Sequence, residues 1–309
     1  MTKPVVLITS ATSRNGSEAA KLVLAQGKYT VRLAARDPSR LADLVAQGAE
    51  AVALDPTSVE SMSKACAGVD VVYLILPTGV GELETIMFRN FLQAATAPGS
   101  SITHIVYLSA VDAADQKVVG YQPIHYHFQH EQLLKSSGIP STILRPAWFH
   151  ENQVNYHAQS IRTTGEFRTS AGDGVWTTIA IRDIAAAAAA VIDNPHLHAG
   201  KLYTLTTEAV TDDMVAGKIS KVTGQKVRHV TLTHKEHKDL IIKSFSDRPN
   251  PEVFANALAT LDMEKRLSFF GRVYPDLEQL IGRKGVSLQD FLAENADAFK
   301  QQEPPKLAS

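Results

Sequence analysis

Over the first half of the chain, short runs of β-branched and aliphatic residues alternate with stretches whose apolar positions recur at helical spacing. Val5 to Thr9 reads as a strand. Gly16 to Gln26 reads as a helix with Ala19, Ala20, Leu22, Val23 and Leu24 on its apolar stripe and Gly27 as its stop. Thr30 to Ala35 is the second strand. Asp37-Pro38-Ser39 then opens a helix, a capping carboxylate ahead of proline at the first helical position, and Leu41 to Gln47 completes it. Ala51 to Leu54, the apolar run Val69 to Leu76, and Ile102 to Leu108 are further strands, separated by helices from about Ser58 to Cys66 and from Glu82 to Ala97. A helix over Gln122 to Ser137 leads to the strand Ser141 to Leu144. Strands joined in this order by crossover helices and short connections predict an α/β fold with a doubly wound parallel sheet.

Beyond Arg145-Pro146 the alternation loosens. Ile179 to Ile192 reads as a short strand and a helix, Lys201 to Thr206 as a last strand, and Asp212 to Thr223 and Lys235 to Ser246 as helices. Asn250-Pro251 opens another helix and Ser287 caps the final one. The expected organisation is a sheet domain over 1–156, with strands returning at about 179–206, and a smaller, mostly helical C-terminal domain over 207–309 to which 157–178 contribute. The tail from Gln301 is expected to be loose.

With 309 residues the chain can bury a full core without disulfides, and its formal charge of −1 offers no excess of Lys and Arg to a phosphate backbone. Nucleic acid is therefore not an expected partner. The single cysteine, Cys66, excludes an intramolecular disulfide and a thiolate-rich zinc site; it reads as a small core residue. No apolar run approaches the roughly 18 residues of a membrane span, and Val5-Val6-Leu7-Ile8 follows Pro4 with no signal-peptide pattern. The expected setting is cytoplasmic, with a small molecule as partner and no membrane; a homodimer is left open.

The turn after the first strand, Ser10-Ala11-Thr12-Ser13-Arg14-Asn15-Gly16, occupies the place of a glycine-rich phosphate loop. Only the third glycine position is filled by glycine, Gly16, while Ser10 and Ser13 stand at the first two. Each serine adds a Cβ to a tight turn but also a hydroxyl able to donate to phosphate, and Arg14 can pair with it. At the end of the second strand Arg36 comes first, and Asp37 is already engaged as a cap. Arginine at that position can grip a 2′-phosphate, so NADP(H) is favoured over NAD(H). On the helix after the fifth strand, His127, His130 and Glu131 share one face. The His-Glu-x-x-His spacing of zinc proteases is absent and no metal is expected. The Tyr-x-x-x-Lys pair of classical short-chain dehydrogenases is also missing: Tyr121 is followed by His125, and Tyr126 by His130.

These residues, with Asp55 after the third strand, Ser109 after the fifth, the stretch Ser137-Gly138-Ile139-Pro140 to Arg145-Pro146-Ala147-Trp148-Phe149-His150-Glu151-Asn152, and Ala171-Gly172-Asp173-Gly174, resemble the NmrA-like family of atypical short-chain dehydrogenases. The resemblance extends over nearly the whole chain, and His127, where many members carry lysine, is similar to the quinone reductase and triphenylmethane reductase branch. It implies a Rossmann-like fold with NADPH along the carboxyl ends of the strands and a planar acceptor over the nicotinamide under a cap. Carried over residue by residue, Thr12, Ser13, Arg14, Asn15 and Gly16 would meet the pyrophosphate, Arg36 the 2′-phosphate and Asp55 the adenine edge, with Ser10 a further cofactor-loop residue that departs from the family's glycine. Pro77, Thr78 and Ser109 would border the ribose and nicotinamide. His127 would donate a proton or a hydrogen bond to the acceptor carbonyl, and Trp148, Phe149 and Asn152 would form the acceptor wall.

The expected activity is an NADPH-dependent oxidoreductase passing hydride to a conjugated quinone, enone or imine. Two alternatives stay open at this point. One is a non-catalytic NADP(H)-sensing regulator that binds a protein partner; the other is a biosynthetic enzyme of this fold that uses its pocket for non-redox chemistry.

Overall fold

The computed structural model describes residues 2–111, 122–248 and 250–300. Tyr121 and the tail from Gln301 lie outside the described residues. The chain divides into two compact units, the first made of Met1–Pro146, Ile181–Leu205 and Pro275–Lys284, the second of Ala147–Ala180, Thr206–Tyr274 and Gly285–Ser309.

The first unit begins β1 (Val5–Ile8), α1 (Arg14–Gln26), β2 (Thr30–Ala35), α2 (Ala42–Ala46), β3 (Glu50–Ala53), α3 (Val59–Cys66) and β4 (Val71–Leu74). It continues with α4 (Leu83–Ala95), β5 (His104–Leu108), α5 (Gln122–Ser136) and β6 (Ser141–Pro146). The segment predicted as a helix from Asp37 is a single 3-10 turn, Pro38–Leu41, ahead of the short α2; its cap is as expected, Asp37 Oδ1 accepting from the Ser39 amide at 3.1 Å. The second unit contributes β7 (Trp148–Phe149), α6 (Ala158–Thr164), β8 (Glu166–Thr169) and β9 (Trp176–Ile179). The chain then returns to the first unit for α7 (Ile181–Asp193) and β10 (Leu202–Leu205).

Seven strands form one parallel sheet in the order β10-β6-β5-β4-β1-β2-β3. The sheet is doubly wound: the chain builds outward from β1 through β2 and β3, then restarts at β4 on the other side of β1. The central strands are buried on both faces, with Val6, Leu7, Ile8, Val72, Tyr73, Leu74, Ile105 and Val106 fully enclosed, as their unbroken apolar runs require. The alanine run of α7 follows from packing: Ala185, Ala187 and Ala188 are fully buried, and α7 lies against α1, where small side chains permit close approach. Cys66 belongs to this core, and burial pushes its thiol up to about 12, so it is inert.

The second unit is completed by β11 (Glu208–Val210), α8 (Asp212–Thr223), β12 (Arg228–Thr231), α9 (His234–Ser244) and α10 (Pro251–Arg266), with α12 (Leu288–Glu294) after the chain has supplied α11 (Asp276–Ile281) to the first unit. Alongside its helices are two small sheets, β11-β9-β7 and β12-β8, whose two- to four-residue strands are too short to show a period in sequence. The chain leaves the first unit after Pro146, before the expected position 156, because Trp148 and Phe149 pair with Thr178 and Ile179 of the second unit. Here a glycine is sterically required: a Cβ at Gly174 would meet the Lys265 carbonyl and the Arg266 Cα of α10. Gly174→Ala is therefore expected to destabilise by about 1–3 kcal/mol through overpacking, read as a lower urea midpoint; an unchanged midpoint would remove this contact from the account.

Candidate cofactor and acceptor sites

At the carboxyl end of β1 the chain turns through Thr9 to Ser13 into α1. The Thr9 hydroxyl donates to the Ile75 carbonyl at 2.7 Å and accepts from the Ile75 amide at 2.8 Å, and the Ser10 hydroxyl donates to the same carbonyl at 2.9 Å. Ser10 has φ of 48°, the left-handed region that a glycine at this loop position would enter freely. Ser13 keeps an ordinary extended backbone and acts as the N-cap of α1, accepting from the Gly16 amide at 3.1 Å. A Cβ on Gly16 would lie 2.6 Å from the Ser10 carbonyl oxygen and 2.8 Å from Ala11 Cα, so only glycine permits this approach of helix to loop. The amides of Arg14 and Asn15 begin the helix without an intrahelical acceptor, and no acidic residue stands in the first turn. The buried Asn15 Oδ1 has no hydrogen-bond partner among the described residues. Free amides, the exposed Arg14 and a sterically locked glycine fit a pyrophosphate; the donor set supports a dinucleotide.

The other cofactor candidates are brought to the same edge of the sheet. In strand order, Asp55 follows β3, Arg36 follows β2, Ser10 to Gly16 follow β1, Pro77 and Thr78 follow β4, and Ser109 follows β5. These are four inter-strand steps, on the order of 19 Å, centred on the reversal between β1 and β4 where such folds bind ligands. Arg36 and Asp55 are exposed; Asp55 accepts from the Thr57 hydroxyl at 2.7 Å and amide at 2.9 Å, which with the nearby Arg36 hold its carboxyl below the usual range. The loop carrying Pro77 and Thr78 is fastened by Glu84, a residue the sequence reading missed. Its buried carboxyl accepts from the Gly79 amide at 2.7 Å and the Val80 amide at 3.2 Å, and burial raises it to about 7. Nothing in the sequence separates Glu84 from an ordinary acid in a helix's first turn.

His127 is buried on α5. Its Nδ1 lies 2.7 Å from the Tyr107 hydroxyl, which is also 3.0 Å from Nδ1 of His130. His130 stacks on Phe88 at 4.4 Å, and its Nε2 lies 3.3 Å from the Thr85 hydroxyl. Burial lowers His127 to about 3 and His130 to about 4, so both rings are neutral at pH 7. With one phenolic proton between two Nδ1 atoms, one ring accepts from Tyr107 and the other donates to it. We assign the shorter contact as the phenolic O–H donation, which makes His127 the acceptor and leaves its proton on Nε2. The tyrosine partner of His130 is thus Tyr107 on β5 and not Tyr126. A buried polar ring in an aliphatic strand was the available signal. The third member of the helical face, Glu131, turns elsewhere: it accepts from Arg145 Nε at 2.8 Å and Nη2 at 2.5 Å and from the Ser109 hydroxyl at 2.5 Å. Ser109 thus spends its proton within the protein and has only its oxygen to offer a ligand. Among the described residues no group of three His, Cys, Asp or Glu is placed to hold a metal ion.

Of the residues expected at an acceptor wall, Trp148 lines a cavity of about 230 Å³ inside the second unit. Tyr156, Ile241, Phe245, Asp262 and Lys265 also line it. Phe149 follows Trp148 in β7, where neighbouring side chains take opposite faces, and Asn152 precedes the π-helical turn Gln153–His157.

A family model described as NAD(P)H-binding matches residues 10–195. The chain belongs to this NAD(P)H-binding family. It is an NmrA-like oxidoreductase, as the resemblance implied. It is similar to an NAD(P)H azoreductase of Xenophilus azovorans, 27% identical over 96% of this chain and 99% of that protein. Quinone oxidoreductase 2 of Escherichia coli (strain K12) is 30% identical over 84% of this chain and 86% of its own length. Among solved structures, the Citrobacter sp. triphenylmethane reductase complexed with NADP(H) superposes with a TM-score of 0.83 at 26% identity, over 94% of this chain and 99% of that one. No helix among the described residues is long and apolar enough to cross a membrane.

Two predictions follow from the geometry of this NAD(P)H-binding oxidoreductase. Gly16→Ala, by forcing helix and loop apart, should abolish measurable dinucleotide binding in calorimetry and cost about 1–3 kcal/mol of stability; retained affinity would mean the loop yields cheaply. His104, His127 and His130 have folded pKa values of about 4, 3 and 4 against an unfolded 6.5. At these three histidines the unfolded chain binds more protons between those limits, so their joint contribution is fully present above about pH 6.5 and falls as pH drops toward 4; Glu84, raised to about 7, acts in the opposite sense and offsets part of the loss. Thermal midpoints at pH 7 and pH 5 check this, and equal midpoints would contradict it.

Proposed function

We propose that this chain is an NADPH-dependent reductase that delivers hydride to a conjugated small molecule of the quinone, enone or imine type. The observation carrying the cofactor choice is the commitment of Asp37. Its carboxylate caps the turn at Pro38, accepting also from the Ser39 hydroxyl at 2.6 Å, so Arg36 is the group at the end of β2 free to meet a ribose phosphate. The Citrobacter reductase, solved with NADP(H), supports the same choice. Bound NADPH supplies the hydride. The amides opening α1, with Arg14, hold the pyrophosphate; Pro77 and Thr78, on the loop fastened by Glu84, border the ribose; and the oxygen of Ser109 faces the nicotinamide end.

His127 has a narrower role than general acid. Its imidazolium is absent at neutral pH, and Tyr107, raised well above 10 mainly by burial, does not release its proton either. The neutral Nε2–H donates a hydrogen bond to the acceptor carbonyl, polarising it as hydride arrives, and the proton that completes reduction comes from solvent. Of the three residues expected at the acceptor wall, Trp148 is kept there; Phe149, on the opposite face of β7, and Asn152 do not line the same cavity. The quinone, azo and triphenylmethane activities of the similar proteins all concern conjugated acceptors, which favours reduction over the sensing and non-redox readings.

Arg36→Ala is expected to weaken NADPH by roughly ten-fold or more, the worth of a charge-assisted phosphate contact, and to leave NADH nearly unchanged. Calorimetric titration with each cofactor reads the difference, and equal losses would remove Arg36 from the site. His127→Phe should lower kcat on a quinone more than it changes NADPH affinity. A rate unchanged by the substitution would leave His127 as scaffold.

A further inference from the structure

We infer that Thr85, His130, Tyr107 and His127 form a proton wire that leads from α4 to the acceptor and carries the solvent proton completing its reduction. The wire lies wholly within the first unit. It rests on the reductase reading for the group at its inner end, though not for its own existence.

The wire is continuous. The Thr85 hydroxyl is 3.3 Å from Nε2 of His130, Nδ1 of His130 is 3.0 Å from the Tyr107 hydroxyl, and that hydroxyl is 2.7 Å from Nδ1 of His127. Its middle is dry and its outer end is not: Tyr107 and His130 are each 1% exposed, whereas Thr85 is half-buried. At the inner end Nε2 of His127 takes no partner among the described residues. Phe88, one turn beyond Thr85 on α4, lies within 4° of parallel to the His130 ring and holds it in the plane that reaches both neighbours.

Its polarity is uniform. With His127 accepting from Tyr107, the phenolic oxygen is left to accept from Nδ1–H of His130, and His130 Nε2 is then bare to accept from Thr85. Every bond points inward, and neighbouring bonds in such a chain polarise one another. Hydride delivered to a conjugated carbon leaves the acceptor oxygen negative, and that oxygen takes the Nε2 proton of His127. His127 Nδ1 takes the phenolic proton, the Tyr107 oxygen takes the Nδ1 proton of His130, His130 Nε2 takes the Thr85 proton, and water reprotonates Thr85. One N–H or O–H bond forms for each that breaks, the acceptor is reduced as NADPH is oxidised, and no side chain changes charge. The protons move together, because burial disfavours a phenolate at Tyr107, with Glu131 and Glu84 adding to the cost, and an imidazolium at either histidine. His127 is thus a relay and at no point an imidazolium. Product release opens its Nε2 to water, and the reverse shift restores the starting polarity.

The wire is read without NADPH by nitrogen-15 NMR of the histidine rings in the full-length protein, with His127→Gln and His130→Gln assigning the signals. The proton is expected on Nε2 in His127 and on Nδ1 in His130; the same tautomer in both rings overturns the proposal. Its use is read with NADPH and naphthoquinone. Thr85→Val removes the outer donor and should lower kcat about ten-fold or more while leaving the KM for NADPH unchanged. Thr85→Ser should restore it. The wild-type rate plotted against the fraction of heavy water should bow downward, as when several protons move together, and Thr85→Val should straighten the plot. An unchanged kcat and bow in Thr85→Val, or a Thr85→Ser as impaired as Thr85→Val, overturns the proposal. Opposed tautomers without any NADPH oxidation keep the hydrogen-bonded wire and end the reductase reading; turnover with like tautomers does the reverse.

Discussion

Two hydroxyls bonded to the backbone of Ile75 hold the centre of the first unit together. The parallel sheet reverses its winding between β1 and β4, and beyond their last paired residues the two strands must diverge to make room for a ligand. Thr9 bridges the gap by donating to the Ile75 carbonyl and accepting from its amide, and Ser10 adds a second donor. That pins Ser10 in a left-handed conformation, which in turn presents its carbonyl where only a glycine can pass. Strand register, loop shape and the start of α1 are therefore one coupled arrangement. The serine at the first loop position adds a side-chain bond to it that glycine could not make, and this offsets the cost of its backbone.

A second coupled arrangement is the polar layer between β5, β6 and α5. Tyr107 joins two neutral histidines, and one turn further along Glu131 takes a bidentate arginine and a serine. Each polar group is buried and each has partners, which is the condition under which such a layer fixes geometry without a large desolvation penalty. Its consequence for chemistry runs through the tautomer assigned to His127. A ring with its Nδ1 engaged below presents Nε2–H as a donor, and the same burial that orients it removes its capacity to act as an imidazolium acid near neutrality.

The succession of strands and helices and the capping role of Asp37 were legible in the sequence because each rests on local spacing, aliphatic runs and an Asp-Pro pair; the family was legible through the resemblance of its motifs. Tyr107 and Glu84 were not legible. Their importance comes from partners 20 and four residues or more away in folded geometry, and from burial, which single-residue identity does not encode. The short strands of the second unit were missed for a related reason, since two to four residues cannot display alternation.

The sequence by itself determined a doubly wound sheet, the strand-to-helix turn ending at Gly16 and an arginine at the end of the second strand, because periodicity and capping are properties of neighbouring residues. Only the tertiary structure decided that His127 is neutral, that Asp55, Arg36, Gly16, Thr78 and Ser109 share one edge, and that Thr85, His130 and Tyr107 lead to His127. Those facts depend on burial and on which distant segments meet, and a proton's place or a charge's cost is set by that environment.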